Sequence, residues 1–304
     1  MLDFKDVHLE HKQWVEEYMR RYADPSCQNS FHSLYCLKQK YGTVLCFHHD
    51  FLFLSREHKN VDGYRAYMMP VGPGNPQEAI RLVLEDAHKR GMMAKFATVT
   101  EGSAAIINRI FPGNFDTVPD RDYFEYVYLS EKLANLPGSE FASKRQKVRR
   151  FWRDFGDRAV VKEITPNVIP EVATFQQRWL YQHNKRDDYR MLLEEDTAIS
   201  VGLAHFRELA LSGIILCIDG EIQGYAYGGK LADDTYNVYI EKCDIRLMNG
   251  YEILNMELIR RCAMSYTYIN REEDVGIPGL RRAKLSYKPC MLVKKYILKE
   301  VKHD

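Results

Sequence analysis

Apolar and polar positions in the first 135 residues alternate in a strand-rich rhythm broken by two amphipathic helices. Thr43-Val-Leu-Cys-Phe47 and Phe51-Leu-Phe-Leu54 predict two strands around a His-His-Asp turn, and residues 64–69 a third that ends in Pro70-Val-Gly-Pro-Gly74. Residues 10–21 have helical spacing. So do residues 76–90, where Ile80, Leu84 and Ala87 share a face and Gly91 supplies the stop. A strand over 95–100, a short helix over 103–111 and an alternating strand over 123–129 complete this pattern.

Leu136-Pro-Gly-Ser139 is the best boundary, a turn dipeptide between patterned segments. A basic helix follows it. Thr165-Pro166 predicts the start of a helix with Val172, Phe175 and Trp179 on one face. A further helix is expected over 198–211, with Gly213 as its stop. Residues 214–229 read as a hairpin, because Asp219-Gly220 suits a type I′ turn. A strand over 236–242 precedes a helix opened by Gly250, with Tyr251, Leu254, Leu258 and Cys262 along its stripe, and a last strand covers 266–270. The recurrence of hairpin, strand, helix and strand predicts an α+β protein of two tandem units, each a mixed sheet flanked by helices. The expected units are 1–137 and 138–304.

Composition narrows the class without choosing a partner. The chain has 304 residues, 45% hydrophobic and 28% charged, enough for two ordinary cores. Its formal net charge of +1 selects no ligand. No stretch approaches the roughly 18 apolar residues of a membrane span, and the first residues lack a signal-peptide pattern. Seven cysteines without a C-x-x-C pair argue for reduced thiols and a cytoplasmic location. Cys217, Cys243 and Cys262 lie in apolar patterns and read as core. His48-His49 has no third ligand at usable spacing, so no metal is expected.

Local charge carries more information. Lys144 to Arg153 holds six cations and no acid in ten residues, so Lys144, Arg145, Arg149 and Arg150 are candidate contacts for RNA phosphates or another anion. A solvated basic helix face is the plainer reading of the same run. Near the end, a strand feeds Asn270-Arg-Glu-Glu-Asp-Val-Gly-Ile-Pro-Gly-Leu-Arg-Arg-Ala-Lys-Leu-Ser-Tyr-Lys-Pro289, which packs acids, glycines and cations together.

That run resembles the N-x-E-x-D-x-G-x-x-G-L-R-x-A-K-x-S-Y-x-P signature of the family of unknown function 2156, which is related to the C-terminal catalytic domain of phosphatidylglycerol lysyltransferase. Tyr239-Ile-Glu-Lys242 and the run from Lys144 to Phe151 also resemble family positions. The element order is that of GNAT-type acyltransferases, and the resemblance implies two GNAT-like (acyl-CoA N-acyltransferase-like) units, the first degenerate and the second carrying the site. It implies transfer of an aminoacyl group from aminoacyl-tRNA to an acceptor hydroxyl or amine. The membrane-bound relatives use phosphatidylglycerol and carry a transmembrane domain that this sequence lacks, which leaves the acceptor open.

For the proton step the candidates are Asp274, then Glu272, then Glu241. Arg281 and Lys284 would complement an oxyanion, phosphate or carboxylate, and Tyr287 would donate a hydrogen bond. Asn270, Gly276 and Gly279 are candidate substrate- or phosphate-binding positions, the glycines because they let the backbone approach closely; the plainer reading is that the glycines only shape the loop. Glu272 and Asp274 pairing with Arg281 and Lys284 merely to pin the last helix is the bland alternative. Acyl-CoA as donor is a rival. For it, Arg246 and Gly250 would lie where the pyrophosphate binds, but the R/Q-x-x-G-x-G/A loop is missing, and Pro73 removes an N–H from the corresponding turn of the first unit. A non-catalytic module that binds RNA or a phospholipid headgroup is the third reading. No cofactor is firmly implied.

Overall fold

Fourteen strands and eleven helices are found among residues 1–302, the residues that the computed structural model describes. The strands are β1 (Lys5–Asp6), β2 (Thr43–His48), β3 (Phe51–Arg56), β4 (Tyr64–Tyr67), β5 (Met93–Thr100), β6 (Phe115–Pro119), β7 (Glu125–Leu129), β8 (Ala159–Glu163), β9 (Ser212–Ile218), β10 (Glu221–Lys230), β11 (Thr235–Cys243), β12 (Tyr268–Asn270), β13 (Met291–Val293) and β14 (Lys295–Glu300). The helices are α1 (Lys12–Tyr22), α2 (Phe31–Cys36), α3 (Lys38–Tyr41), α4 (Pro76–Lys89), α5 (Glu101–Ile110), α6 (Ser130–Asn135), α7 (Ala142–Phe155), α8 (Ile169–Gln182), α9 (Tyr189–Ala204), α10 (Gly250–Leu258) and α11 (Pro278–Leu285).

The strands form two seven-stranded sheets, in the orders β1-β2-β3-β4-β5-β14-β6 and β13-β7-β12-β11-β10-β9-β8. The sheets share one design. Antiparallel strands lead to a single parallel pair, β4 with β5 in the first and β11 with β12 in the second. A parallel pair needs a crossover, and α4 and α10 supply it. In the first sheet α4 buries Ile80 and Val83 against Phe53, Tyr67 and Phe96. In the second, Val172, Phe175 and Trp179 of α8 pack with Tyr225 and Tyr227 of β10, as their spacing predicts. The hairpin joining β9 to β10 turns on Asp219 and Gly220, both at positive φ (52° and 86°), which suits its type I′ character.

The two compact units are residues 1–125 with 273–277 and the chain from 292 on, and residues 126–272 with 278–291. This division differs from a cut at 137 because two strands cross it. The strand expected to close the first unit, β7, pairs antiparallel with β12 in the second sheet. The last strand, β14, inserts between β5 and β6 of the first. Pairing partners far apart in sequence leave no trace in local periodicity. Helix bounds also shift. Residues 166–168 form a 3-10 turn and the α-helix starts at Ile169, while the helix expected over 198–211 runs from Tyr189 to Ala204, so that Leu192, Ile199 and Leu203 reach the core. Past Leu258 the last turn of α10 widens into a π-helix, Ile259–Ala263. Among the described residues no helix is long and apolar enough to cross a membrane.

Candidate active site at the splayed strands of the second unit

Strands β11 and β12 pair over only three positions, Thr235 with Tyr268, Tyr236 with Ile269, and Asn237 with Asn270. β11 then continues to Cys243 alongside β10 alone. The chain after β12 stays with β7: Arg271 N–H donates to Tyr126 O, and Tyr126 N–H to Glu272 O. The parallel pair therefore opens into a wedge. Asn270 and Glu272 make the departure. The Asn270 carboxamide oxygen accepts from Glu272 N–H at 2.8 Å, and Glu272 takes a positive φ of 57°. The Glu272 carboxylate accepts from Asn237 Nδ2 at 2.7 Å.

Across the wedge, Arg271 Nη2 donates to Glu241 Oε2 at 2.7 Å, and both side chains are only 13% exposed. The guanidinium lies over the rings of Tyr287 and Tyr128, 5.0 and 5.8 Å from their centroids. Burial, the largest single influence, would lower the pKa of Arg271, but the Glu241 carboxylate together with Tyr128 and Tyr287 outweighs it and the value is raised. Burial pushes both tyrosines up, which keeps them as hydroxyl donors. Tyr128 donates to the Lys284 carbonyl at 2.8 Å, and Lys284 Nζ in turn holds the Arg271 carbonyl. On the far side, Lys144 Nζ lies 4.0 Å from the Tyr287 centroid and 3.4 Å from Glu252 Oε1. Burial lowers the Lys144 pKa, opposed by Glu252. Lys147 also reaches Glu252, at 2.8 Å.

Of the residues singled out from sequence, Glu241, Glu272, Asn270, Lys284, Tyr287 and Lys144 thus gather around this wedge. Asp274 and Gly276 stand apart from it. Asp274 belongs to the first unit, where its buried carboxylate accepts from Arg121 at 3.2 Å and from Gly276 N–H at 3.0 Å. Gly276 has a φ of 77°, and a Cβ there would sit 2.8 Å from Asp122. Glycine is thus needed to shape that turn. Gly279 faces open space, and Arg281 is half-buried on α11. The basic run divides by helix face. Lys144 turns to Glu252, Arg145 holds the carbonyls of Leu136 and Gly138, and Arg149 and Arg150 stay exposed, the latter 3.5 Å from Asp154.

The β11–α10 turn is built as a packed corner. Asp244 accepts from Arg246 at 2.7 Å, and hydrogen bonds from that side chain, against the burial that opposes them, hold its carboxyl well below the usual range. Gly250 owes its identity to packing, since a Cβ would lie 2.4 Å from Cys243 Sγ. Gly250→Ala is expected to cost about 1–3 kcal/mol through overpacking, read as a lowered urea midpoint. An unchanged midpoint would show that the corner yields.

Arg271, Tyr128 and Glu252 were not foreseen. Arg271 sits inside the run 270–289, but only the end of the parallel pairing distinguishes it from its charged neighbours. Tyr128 and Glu252 come from elements about 120 residues apart. Among the described residues no group of three or more His, Cys, Asp or Glu is placed to hold a metal ion.

Known proteins resemble this chain in fold or in sequence. A conserved protein of unknown function from Bacteroides thetaiotaomicron superposes with a TM-score of 0.93 at 32% identity, covering 99% of this chain and all of that one. The L-PGS of Bacillus licheniformis shares the fold, with a TM-score of 0.65 at 13% identity over 96% of this chain and 92% of the other. An uncharacterised protein of Mycoplasmoides gallisepticum is 22% identical over 183 residues, 58% of this chain and 56% of that protein. The chain spans little more than half the length of that relative. Residues 19–299 match the family described as "Phosphatidylglycerol lysyltransferase, C-terminal", and the chain belongs to it.

Proposed function

We propose that this protein is an aminoacyltransferase, moving an aminoacyl group from aminoacyl-tRNA to an amine or hydroxyl acceptor at the wedge of the second unit. The observation that carries this reading is the buried Arg271–Glu241 pair placed where the parallel strands part, in a chain of this family. The donor ester is already activated, so the protein has to orient the reactants and balance charge. The acceptor nitrogen or oxygen bonds to the carbonyl carbon, the ester bond to the terminal ribose breaks, and the acceptor proton passes to the departing ribose oxygen. Arg271 would face the carbonyl oxygen, where negative charge develops. The exposed Arg149 and Arg150 would meet RNA phosphates.

Acyl-CoA is the weaker donor, because Asp244 ties up Arg246 and Cys243 fills the space beside Gly250. The test is incubation with charged total tRNA and a panel of amine, hydroxyl and lipid-headgroup acceptors, scoring acceptor-dependent loss of the ester. Wild type should consume the ester faster than its spontaneous hydrolysis, and Asp274→Asn should retain that rate per folded molecule. RNA binding without ester loss would favour a binding module. Arg149→Ala with Arg150→Ala should weaken tRNA binding and flatten its salt dependence by a slope of about 2. An unchanged slope would make the run a solvated face.

A further inference from the structure

Helix α11 is inside out. Lys284 is 7% exposed, its ammonium bonded to the Arg271 carbonyl, and Arg281 is half-buried. Outward stand Pro278, Gly279, Leu280, Ala283 and Leu285, with Leu280 37% and Leu285 43% exposed. A helix packed on a core normally turns its apolar side inward and its charges to water. The informative exception is an apolar side left outside. A Cβ on Gly279 would meet no atom within 4 Å, so nothing in this chain covers the helix there. Just past the helix, Met291 is also exposed, at 50%.

Charge decides what suits such a face. Residues 278–291 contain four cations, Arg281, Arg282, Lys284 and Lys288, and no acid. Arg282 is exposed among the outward apolar residues, and Lys288 is exposed just after the helix. The fitting partner is therefore apolar where it meets the leucines and anionic beside them. Protein partners are anchored by aromatic or arginine side chains seated in pockets, whereas the outward residues here are small or aliphatic, on a short convex helix. RNA bases stack on rings, and the outward face of α11 presents none. An anionic bilayer offers both components, phosphates for the two cations and acyl chains for the aliphatic groups.

We infer that the outer face of α11 docks on an anionic lipid surface. Leu280 and Leu285 enter the boundary between headgroups and acyl chains, and Arg282 and Lys288 meet lipid phosphates. So small a face makes the contact weak and reversible. It does not depend on what the wedge transfers.

Vesicle co-sedimentation of the full chain tests this. Partitioning onto phosphatidylcholine vesicles containing about one-third phosphatidylserine should exceed that onto phosphatidylcholine alone by about thirtyfold at low salt, the product of two surface cations. The excess should shrink as salt rises. Phosphatidylglycerol at the same charge should serve as well as phosphatidylserine. Leu280→Ser with Leu285→Ser should lower partitioning at least fivefold while the circular dichroism spectrum stays that of the folded chain. Arg282→Gln with Lys288→Gln should abolish the preference for anionic vesicles. The lipid comparison on wild type needs no variant to fold. Equal partitioning onto neutral and anionic vesicles would overturn the inference, as would partitioning unchanged in both double variants. Binding to phosphatidylglycerol vesicles alone would also overturn it, because it would mean recognition of one headgroup rather than docking on a charged surface. Absence of vesicle binding, with tRNA binding lost in Arg282→Gln with Lys288→Gln, would make the face an RNA contact instead. A concentration-dependent dimer lost in the leucine variant would make it an interface between copies of this chain.

Discussion

Lys295→Met should destabilise the first unit by about 3–5 kcal/mol. Lys295 Nζ lies 2.7 Å from Glu125 Oε1, and both side chains are 0% exposed. Further bonds hold the pair: Ser26 Oγ donates to Glu125 Oε1 at 2.7 Å, Cys27 N–H to Oε2 at 3.0 Å, and Lys295 also donates to Ser26. Removing the ammonium strands a carboxylate that water cannot reach, and that stranding accounts for most of the cost. It falls on β14, the strand between β5 and β6. The double variant Lys295→Met with Glu125→Leu should lie closer to wild type than Lys295→Met alone, because no charge is left unpaired. Urea denaturation followed by circular dichroism reads both. A loss under about 1 kcal/mol in Lys295→Met would show that the pair does not hold the strand in place.

Arg271→Met is expected to act on the fold and on the reaction together. Leaving Glu241 without its counter-charge at 13% exposure should cost about 3 kcal/mol, at the lower end for a buried pair. If the wedge is the site, transfer per folded molecule should fall by about 100- to 1000-fold, the range for removing one donor to a developing oxyanion. The two effects separate when turnover is normalised to the folded fraction. Lost stability with unchanged normalised turnover would reduce Arg271 to a structural ion pair. A double-mutant cycle with Glu241→Gln then gives the coupling between the two side chains.

Much of the fold was legible because its cause is local. Helix α4 announces itself through Pro76, the apolar stripe of Ile80 and Ala87, and Gly91. The β9–β10 hairpin does so through Asp219-Gly220. Both rest on backbone preferences and on burial of one face, which act within a few residues. The run 270–289 stands out in sequence by its charge, and six of the residues chosen from sequence lie around the wedge where the parallel strands part.

Which charged groups meet was decided elsewhere. Asp274 and Glu272 are two residues apart, yet Asp274 bonds to Arg121 of the first unit and Glu272 to Asn237 of the second. Lys144 and Arg149 share a helix, yet Lys144 turns to Glu252 and Arg149 to solvent. Sequence alone determined the family, the α+β character and the cluster of charge near the end, because pattern and local propensity carry them. The tertiary structure decided the exchange of β7 and β14 between the sheets, the length of the β11–β12 pairing, and hence the choice of Arg271 and Glu241. Those depend on strand partners up to about 200 residues apart, whose pairing energy is collected only once the chain has closed on itself.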